Sequence, residues 1–367
     1  MGDMGEPDDG NMVACGGRMG EVAGRNDGGM SMTSEEEIVA ALSRTVARRF
    51  GAGAVVSGLT RLSGGASQEL WSFDVDAEEG RWGLVLRRNP GGVTARATSA
   101  GMAAEARLMI LAAAAGAPVP SVVHVLTPHD GLGSGFIMER IAGESLAPRI
   151  LRDPLYAEAR PKLARQLGEA AARVHAVAVA DAGDLRLLMA EDSLAAAEVL
   201  YRACGVDRPV MEWALLWLSK NCPRGVIQPT VVHGDMRNGN IIVGVEGLRA
   251  LLDWEAVHLG DPMEDLGHLC VTSWRFGQID RPVGGFGCRE DLFSGYEAAS
   301  GGAVDPARVR FWEVLGTLRW GLICGMMAGE FQSGDRSLEK AAIGRRASET
   351  ELDLLSILAP RGGDTYA

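Results

Sequence analysis

Hydrophobic and polar positions follow two different patterns along this chain. In the first part, short runs of β-forming residues are separated by turn residues, with one alanine-rich helical stretch between them at 98–120. From residue 144 onward, apolar residues recur mainly at helical spacing. The pattern therefore predicts a β-rich part followed by a mainly helical part. The predicted strands are 54–62, 68–76, 81–88, 121–127 and 134–141, and the predicted later helices are 155–178, 191–203, 208–221, 288–300, 304–329 and 336–358.

The same pattern divides the chain into three parts. Residues 1–32 are rich in Gly, Met and Asp and lack hydrophobic periodicity, which is typical of a disordered extension. Order is predicted to begin at TSEEEIVAALSRTVARRF, where Thr33 or Ser34 can cap a helix. We predict an α+β chain with a small β-rich lobe at 33–142 and a larger helical lobe at 143–367.

The stretch VVHGDMRNGNIIVGVEGLRALLDWE, residues 231–255, interrupts the helical part with a predicted β-hairpin. A hairpin that turns at Glu246–Gly247 returns the chain to its start, so we expect Asp253 beside Asn240 and Asp235. Carboxylate and amide oxygens are ligands that Mg²⁺ prefers, and a second carboxylate can accept a proton from an attacking hydroxyl. These residue types therefore suit phosphoryl transfer, although Asp and Asn are also common in ordinary turns.

HGDMRNGNIIV followed by LLDWEAVHLGDPMEDLGHL resembles the signature of the aminoglycoside phosphotransferase family, which has a protein-kinase-like fold. The LDWE…LGDP…DL form is especially similar to kinase-like domains associated with acyl-CoA dehydrogenases. The resemblance to the family extends over roughly residues 55–330. The resemblance implies a bilobal fold, ATP and Mg²⁺ as cofactors, and transfer of the γ-phosphate to a hydroxyl of a small molecule. It further implies that Asp235 is the catalytic base, that Asn240 and Asp253 hold Mg²⁺, and that His233 braces the loop.

The resemblance also assigns nucleotide binding to the β-rich lobe. LSGGASQELWSF is similar to the family's phosphate-covering turn, and FIMERIAG is similar to its hinge, where backbone groups would meet adenine. GLVLRR places Arg87 where the family usually carries a lysine, with Arg88 as the alternative phosphate contact. Glu105 is the expected ion-pair partner of Arg87. The predicted nucleotide-binding residues are Ser67, Arg87, Glu105, Glu139 and Ile141.

Composition and charge indicate which binding partners and which cellular location to expect. The net charge of −12 argues against nucleic acid, and the apolar runs are shorter than the roughly 18 residues that a membrane span needs. The acidic amino terminus lacks the features of a signal peptide, and six scattered cysteines are typical of free thiols in a reducing cytoplasm. We therefore expect a cytoplasmic protein that acts on a hydroxylated small molecule, either as a monomer or as a homodimer.

Two other functions stay open at this point. The missing lysine at position 87 is compatible with a pseudokinase that binds nucleotide and serves as a scaffold without turnover. HGD and GN also occur in metal-dependent phosphoesterases, but such sites usually spread several His and Asp ligands over many loops. The phosphate acceptor is open as well, between an aminoglycoside-like compound and a hydroxylated acyl metabolite.

Overall fold

The structure is a computed structural model, and it describes most of the chain in six ranges. The predicted extension at 1–32 and the predicted phosphate contact Ser67 lie outside these ranges, so both stay predictions. The described ranges are 34–62, 68–89, 99–205, 207–225, 227–335 and 337–359.

The five predicted strands form one five-stranded sheet. They are β1 (Val55–Leu62), β2 (Glu69–Ala77), β3 (Gly80–Asn89), β4 (Val122–Val125) and β5 (Ser134–Glu139). The strand order is β1-β2-β3-β5-β4, and β2 lies antiparallel to both β1 and β3. The apolar core on this sheet includes Trp71, Phe73 and Val75 of β2 and the buried run Leu84–Leu86 of β3.

The first helix, α1 at Glu35–Phe50, begins where its capping residues predict. The Ser34 hydroxyl accepts a hydrogen bond from the Glu37 N–H at 3.2 Å, and the Glu37 carboxylate accepts one from the Ser34 N–H at 2.8 Å. Ile38 and Leu42 are buried, and their spacing of four residues places them on the same side of the helix. The helix packs against β1 and so covers part of the sheet.

Packing divides the chain into two compact units. The described residues within Met1–Thr94 and His124–Met138 form one unit, and those within Ala95–Val123 and Glu139–Ala367 form the other. The helix predicted within 98–120 is α2, Met102–Ala114, and it belongs to the second unit. The lobe boundary that we predicted at residue 142 stays a prediction.

The second unit is mainly helical. Its further helices are α3 (Ala147–Arg152), α4 (Arg160–His175), α5 (Ala190–Ala203), α6 (Pro209–Asn221), α7 (Met263–Leu269), α8 (Arg289–Ser300), α9 (Pro306–Gln332), α10 (Leu338–Gly344) and α11 (Ala347–Leu358). Two predicted helices are wrong in extent. The helix predicted at 155–178 begins only at Arg160, because Pro161 lacks an N–H and fits the first turn. The helix predicted at 336–358 is interrupted after Gly344 and forms α10 and α11.

A small three-stranded sheet was only partly predicted. It consists of β6 (Leu187–Leu188), β7 (Thr230–Val232) and β10 (His258–Gly260), in the order β6-β10-β7. Strand β10 pairs antiparallel with β7 and aligns His258 with Val232. Because β7 leads directly into the HGD sequence, this sheet fixes where that loop begins.

Two broader expectations concern the described ranges as a whole. No helix in them is both long enough and apolar enough to cross a membrane. Their five cysteines, at 204, 222, 270, 288 and 324, are all free thiols.

Candidate active site

The Asp235 loop, residues 233–240, follows β7 and requires a glycine at its second position. Gly234 has a φ of 80°. A Cβ added there would lie 2.6 Å from the carbonyl oxygen of Ala256, which is closer than a real Cβ atom comes. Only glycine combines that backbone conformation with this close approach, so the HGD sequence has a local structural reason.

The predicted hairpin follows the Asp235 loop and brings the chain back to it. Its strands are β8 (Ile241–Gly244) and β9 (Gly247–Leu251). The turn is Val245–Glu246, one residue earlier than predicted. Beyond the strands, the Leu252 N–H donates to the Asn240 carbonyl at 2.8 Å. Asp253 therefore follows directly on a residue that is hydrogen-bonded to Asn240.

The Asp235 carboxylate is surrounded by hydrogen-bond donors. His268 Nε2 lies 3.0 Å from Oδ1, and Arg237 Nε lies 3.1 Å from Oδ1 and 3.3 Å from Oδ2. Asn240 Nδ2 lies 2.5 Å from Oδ2. The Asp235 side chain is still 27% exposed, so a small molecule has access to it.

These donors keep Asp235 ionised. Burial raises the pKa of the carboxyl, but the charge of Arg237 and the hydrogen bond and charge of His268 lower the pKa by more, to below its usual range. An anionic carboxylate can hold a hydroxyl by its proton and accept that proton late in a transfer.

Asn240 and Asp253 have a donor set that fits a hard cation. Asn240 Nδ2 points to the Asp235 backbone carbonyl at 3.0 Å as well as to the Asp235 carboxylate. Both of these partners are oxygen atoms that can only accept hydrogen bonds, so the amide nitrogen of Asn240 must face them. The amide oxygen of Asn240 therefore points away from Asp235. An amide oxygen and a carboxylate suit Mg²⁺, which is typically held by few protein ligands together with phosphates. The described residues contain no cluster of three His, Cys, Asp or Glu that could hold a metal ion.

Asp253 has a left-handed backbone conformation, with φ 64° and ψ 73°. Residues other than glycine rarely adopt this conformation, although Asp and Asn do so more readily than others. Such a backbone outlier at a residue with a carboxylate is typical of functional sites.

A buried carboxylate holds the Asp235 loop from behind. Asp265, in α7, accepts hydrogen bonds from the backbone N–H groups of His233 and Gly234, each at 2.9 Å. His175 Nε2 lies 3.0 Å from the same carboxylate, and His175 Nδ1 lies 3.0 Å from the Tyr296 hydroxyl. Helices α4, α7 and α8 are thereby connected to the loop by buried polar contacts.

His233 itself is fully buried in the Asp235 loop. Its Nδ1 accepts a 3.3 Å hydrogen bond from the Asp235 N–H, and its ring lies 4.9 Å from that of Trp254. Burial lowers the pKa of His233, which favours the neutral ring. These contacts suit a bracing residue.

Asp265 should contribute measurably to stability. Burial raises its pKa, but the hydrogen bond and charge of His175 lower it by more, to about 2. The pKa of Asp265 is lower in the folded protein than in the unfolded chain, so its ionised form stabilises the fold. This stabilisation is complete above about pH 4, the pKa of an Asp in the unfolded chain, and is lost as the pH falls through the folded pKa. We expect Asp265→Asn to lower the free energy of unfolding by about 2 kcal/mol at pH 7.

Urea unfolding of the wild type and the variant between pH 7 and pH 2 measures this difference. It should stay constant down to about pH 5 and shrink below about pH 4. A difference that does not change with pH would show that the charge of Asp265 is not what stabilises the loop.

Sequence reasoning missed two partners of Asp235, and the tryptophan that packs against both of them. Arg237 and His268 contact its carboxylate, and the Arg237 guanidinium lies 4.8 Å from the ring centroid of Trp274. The Trp274 ring is also 5.8 Å from that of His268. Arg237 is only two residues from Asp235, so its contact could have been inferred from the local sequence. His268 and Trp274 lie in a later part of the chain, and their contacts depend on how the helices pack.

The predicted nucleotide-binding residues lie in both units. In β3, Arg87 and Arg88 are both buried. Arg88 forms an ion pair with Glu69, in which Arg88 Nε and Nη2 each lie 2.8 Å from Glu69 Oε2. Neighbouring strand residues face opposite sides of a sheet, so Arg87 and Arg88 point to different faces, and the phosphate contact of Arg87 stays a prediction. Glu105 is fully buried in the first turn of α2, in the other unit. Its predicted ion pair with Arg87 stays a prediction.

The predicted hinge residues follow the end of the sheet. Glu139 ends β5, and its N–H donates to the Ser121 carbonyl at 2.9 Å. An adenine contact at Glu139 would therefore use its carbonyl oxygen. Ile141 lies two residues beyond the strand and is half-buried.

The chain is similar to several known proteins. Residues 58–312 match the family described as phosphotransferase enzyme family. Acyl-CoA dehydrogenase family member 10 from Mus musculus is 31% identical over 202 residues, which are 52% of this chain and 18% of that protein. The chain thus spans less than a fifth of that relative's length.

Solved structures show the fold. A candidate aminoglycoside phosphotransferase from Ralstonia eutropha is 20% identical with a TM-score of 0.66, and the match covers 87% of this chain and 97% of that one. Aminoglycoside phosphotransferase APH(4)-Ia, in a ternary complex with AMP-PNP and hygromycin B, is 18% identical with a TM-score of 0.58, covering 88% and 99%. The predicted α+β, kinase-like fold is confirmed, and so is the predicted resemblance. The chain belongs to the phosphotransferase enzyme family.

Proposed function

We propose that this protein is an ATP- and Mg²⁺-dependent phosphotransferase that moves the γ-phosphate of ATP to a hydroxyl of a small molecule. The observation that carries the proposal is the arrangement around the Asp235 loop. An ionised, accessible carboxylate at Asp235 is hydrogen-bonded to the amide of Asn240, and the hairpin returns Asp253 beside Asn240.

Each side chain of the site has a distinct role in this proposal. Asp235 accepts a hydrogen bond from the acceptor hydroxyl, orients its oxygen and takes its proton. Asn240, through its amide oxygen, and Asp253, through its carboxylate, would hold Mg²⁺. When bound, the cation neutralises charge on the phosphates. Asp265 and His233 keep the loop in place.

The nucleotide contacts are proposed from the resemblance. Arg87 would hold the phosphates, because it occupies the strand position where the family usually carries a lysine. An arginine can replace a lysine as a phosphate clamp, since its guanidinium donates two parallel hydrogen bonds. That AMP-PNP is bound in the APH(4)-Ia structure supports a nucleotide site in this fold.

The acceptor is proposed by class. The relatives include a hygromycin B-bound phosphotransferase and a kinase-like region within a protein named as an acyl-CoA dehydrogenase. We therefore propose a hydroxylated small molecule as the acceptor, either aminoglycoside-like or a hydroxylated acyl metabolite. The cytoplasmic location is a separate proposal, which follows from the scattered cysteines of the sequence.

Calorimetric titration with ATP, with and without Mg²⁺, tests the nucleotide half of the proposal. The wild type should bind ATP tightly only with Mg²⁺, and Arg87→Ala should weaken that binding by about tenfold or more, as expected for lost charged hydrogen bonds. The matched control is Arg88→Ala, which should melt at a lower temperature and keep most of its ATP affinity.

A screen for ADP release with aminoglycosides, choline-like alcohols, macrolides and hydroxyacyl thioesters tests the transfer. Phosphorylated product from any of them supports the proposal. A folded wild-type protein without Mg²⁺-dependent ATP binding contradicts it, and binding without any product would favour the scaffold function.

A further inference from the structure

The Asp235 carboxylate has unequal room at its two oxygens. A carboxylate offers about four acceptor positions, two on each oxygen. Oδ1 already accepts from His268 Nε2 at 3.0 Å and from Arg237 Nε at 3.1 Å. Oδ2 accepts from Asn240 Nδ2 at 2.5 Å, and Arg237 Nε shares it only at 3.3 Å. Counting donors from the described residues alone, Oδ1 is therefore filled, whereas Oδ2 keeps room for one more donor.

The donor that fills Oδ1 is held in place by its surroundings. His268 belongs to α7, its side chain is 20% exposed, and its ring is 5.8 Å from that of Trp274. Helix α9 passes so close that a Cβ on Gly316 would lie 3.4 Å from His268 Nδ1. The imidazole therefore has little freedom to turn away from Asp235.

The same short helix also holds the backbone of the Asp235 loop. Asp265 and His268 are three residues apart, a spacing that places two side chains on the same side of a helix. Asp265 accepts from the loop's N–H groups, while His268 donates to its carboxylate. One helix thus fixes both the backbone and the side chain of the residue that faces the acceptor.

We propose that His268 is a positioning residue for phosphoryl transfer, which fills Oδ1 of Asp235 and thereby directs the acceptor hydroxyl to Oδ2. The inference rests on the proposed function. As the bond from the acceptor oxygen to the γ-phosphorus forms, the bond from that phosphorus to the leaving ADP oxygen breaks. The acceptor's O–H bond breaks as well, and its proton passes to Oδ2.

Three substitutions of His268 separate positioning from simple support. Gln can place a side-chain N–H close to the position of His Nε2, whereas Asn is one methylene shorter and cannot reach it. Phe keeps a ring beside Trp274 but has no N–H. The probe is Mg·ATP with water as the acceptor, measured as ADP release, together with Mg·ATP affinity by calorimetry and the melting temperature.

We expect His268→Phe and His268→Asn to lower kcat by about tenfold with Mg·ATP affinity nearly unchanged, as expected when one charged hydrogen bond is lost. His268→Gln should stay within about threefold of the wild type. If all three variants match the wild type, or if Gln falls as far as Asn, His268 does not position Asp235 through its N–H. Asp235→Asn is the reference in the same assay. If it turns over as fast as the wild type, the proposed function fails and this inference fails with it.

Discussion

Asp235→Asn is expected to lower kcat by about 10²–10⁴, the usual cost of removing a general base. Mg·ATP affinity should change by no more than a few fold, because the acceptor hydroxyl, and not the nucleotide, meets this side chain. Asn keeps the shape of Asp235, but its NH₂ group donates hydrogen bonds and cannot accept them. This group must face at least one of the neighbouring donors, which are Arg237, His268 and Asn240. A modest fall in melting temperature should therefore accompany the loss of turnover.

The measurement is steady-state turnover beside calorimetric Mg·ATP binding on the same preparation. Wild-type protein with the same fraction of folded molecules is the control. An Asp235→Asn protein that loses nucleotide binding as completely as turnover would contradict the assignment of Asp235 to the acceptor.

Asp253→Asn is expected to damage Mg²⁺-dependent ATP binding and turnover together. The loss of affinity should exceed the about 10–100-fold that removing a supporting contact costs at metal sites, because a charged ligand itself is lost. Asparagine tolerates the left-handed backbone at this position, so the variant should fold and melt close to the wild type. The defect can then be attributed to the carboxylate.

Calorimetry with and without Mg²⁺ separates the causes. The weak binding of ATP alone should be the same in the wild type and in Asp253→Asn. If Asp253→Asn keeps metal-dependent binding while Asp235→Asn loses it, the two assignments are exchanged.

The sequence was sufficient for features that depend on neighbours along the chain. Thr33 or Ser34 predicts the start of α1 because a cap needs only a polar side chain and the backbone N–H groups that directly follow it, and the structure has Ser34 as the cap. The hairpin at 241–251 is similar, since its turn and its alternating strands are local. Closure of that hairpin then places Asp253 near Asn240 without further information.

The remaining contacts of the site depend on residues far apart in sequence. His268 lies 33 positions from Asp235, and His175 lies 90 positions from Asp265. Strands β6 and β10 are too short to show a period, and pairing across the chain defines them. Such pairs follow from how the helices pack, which local patterns do not determine.

The backbone at Asp253 has an evolutionary consequence. Two separate requirements meet at this position: the left-handed conformation admits mainly Gly, Asn and Asp, whereas the proposed role as a charged Mg²⁺ ligand requires Asp or Glu. Asp alone satisfies both. A lineage released from selection for catalysis can drift to Asn or Gly at 253 at little cost in folding, so the fold would outlive the activity. Descendants of this protein that bind partners without turnover should carry that change.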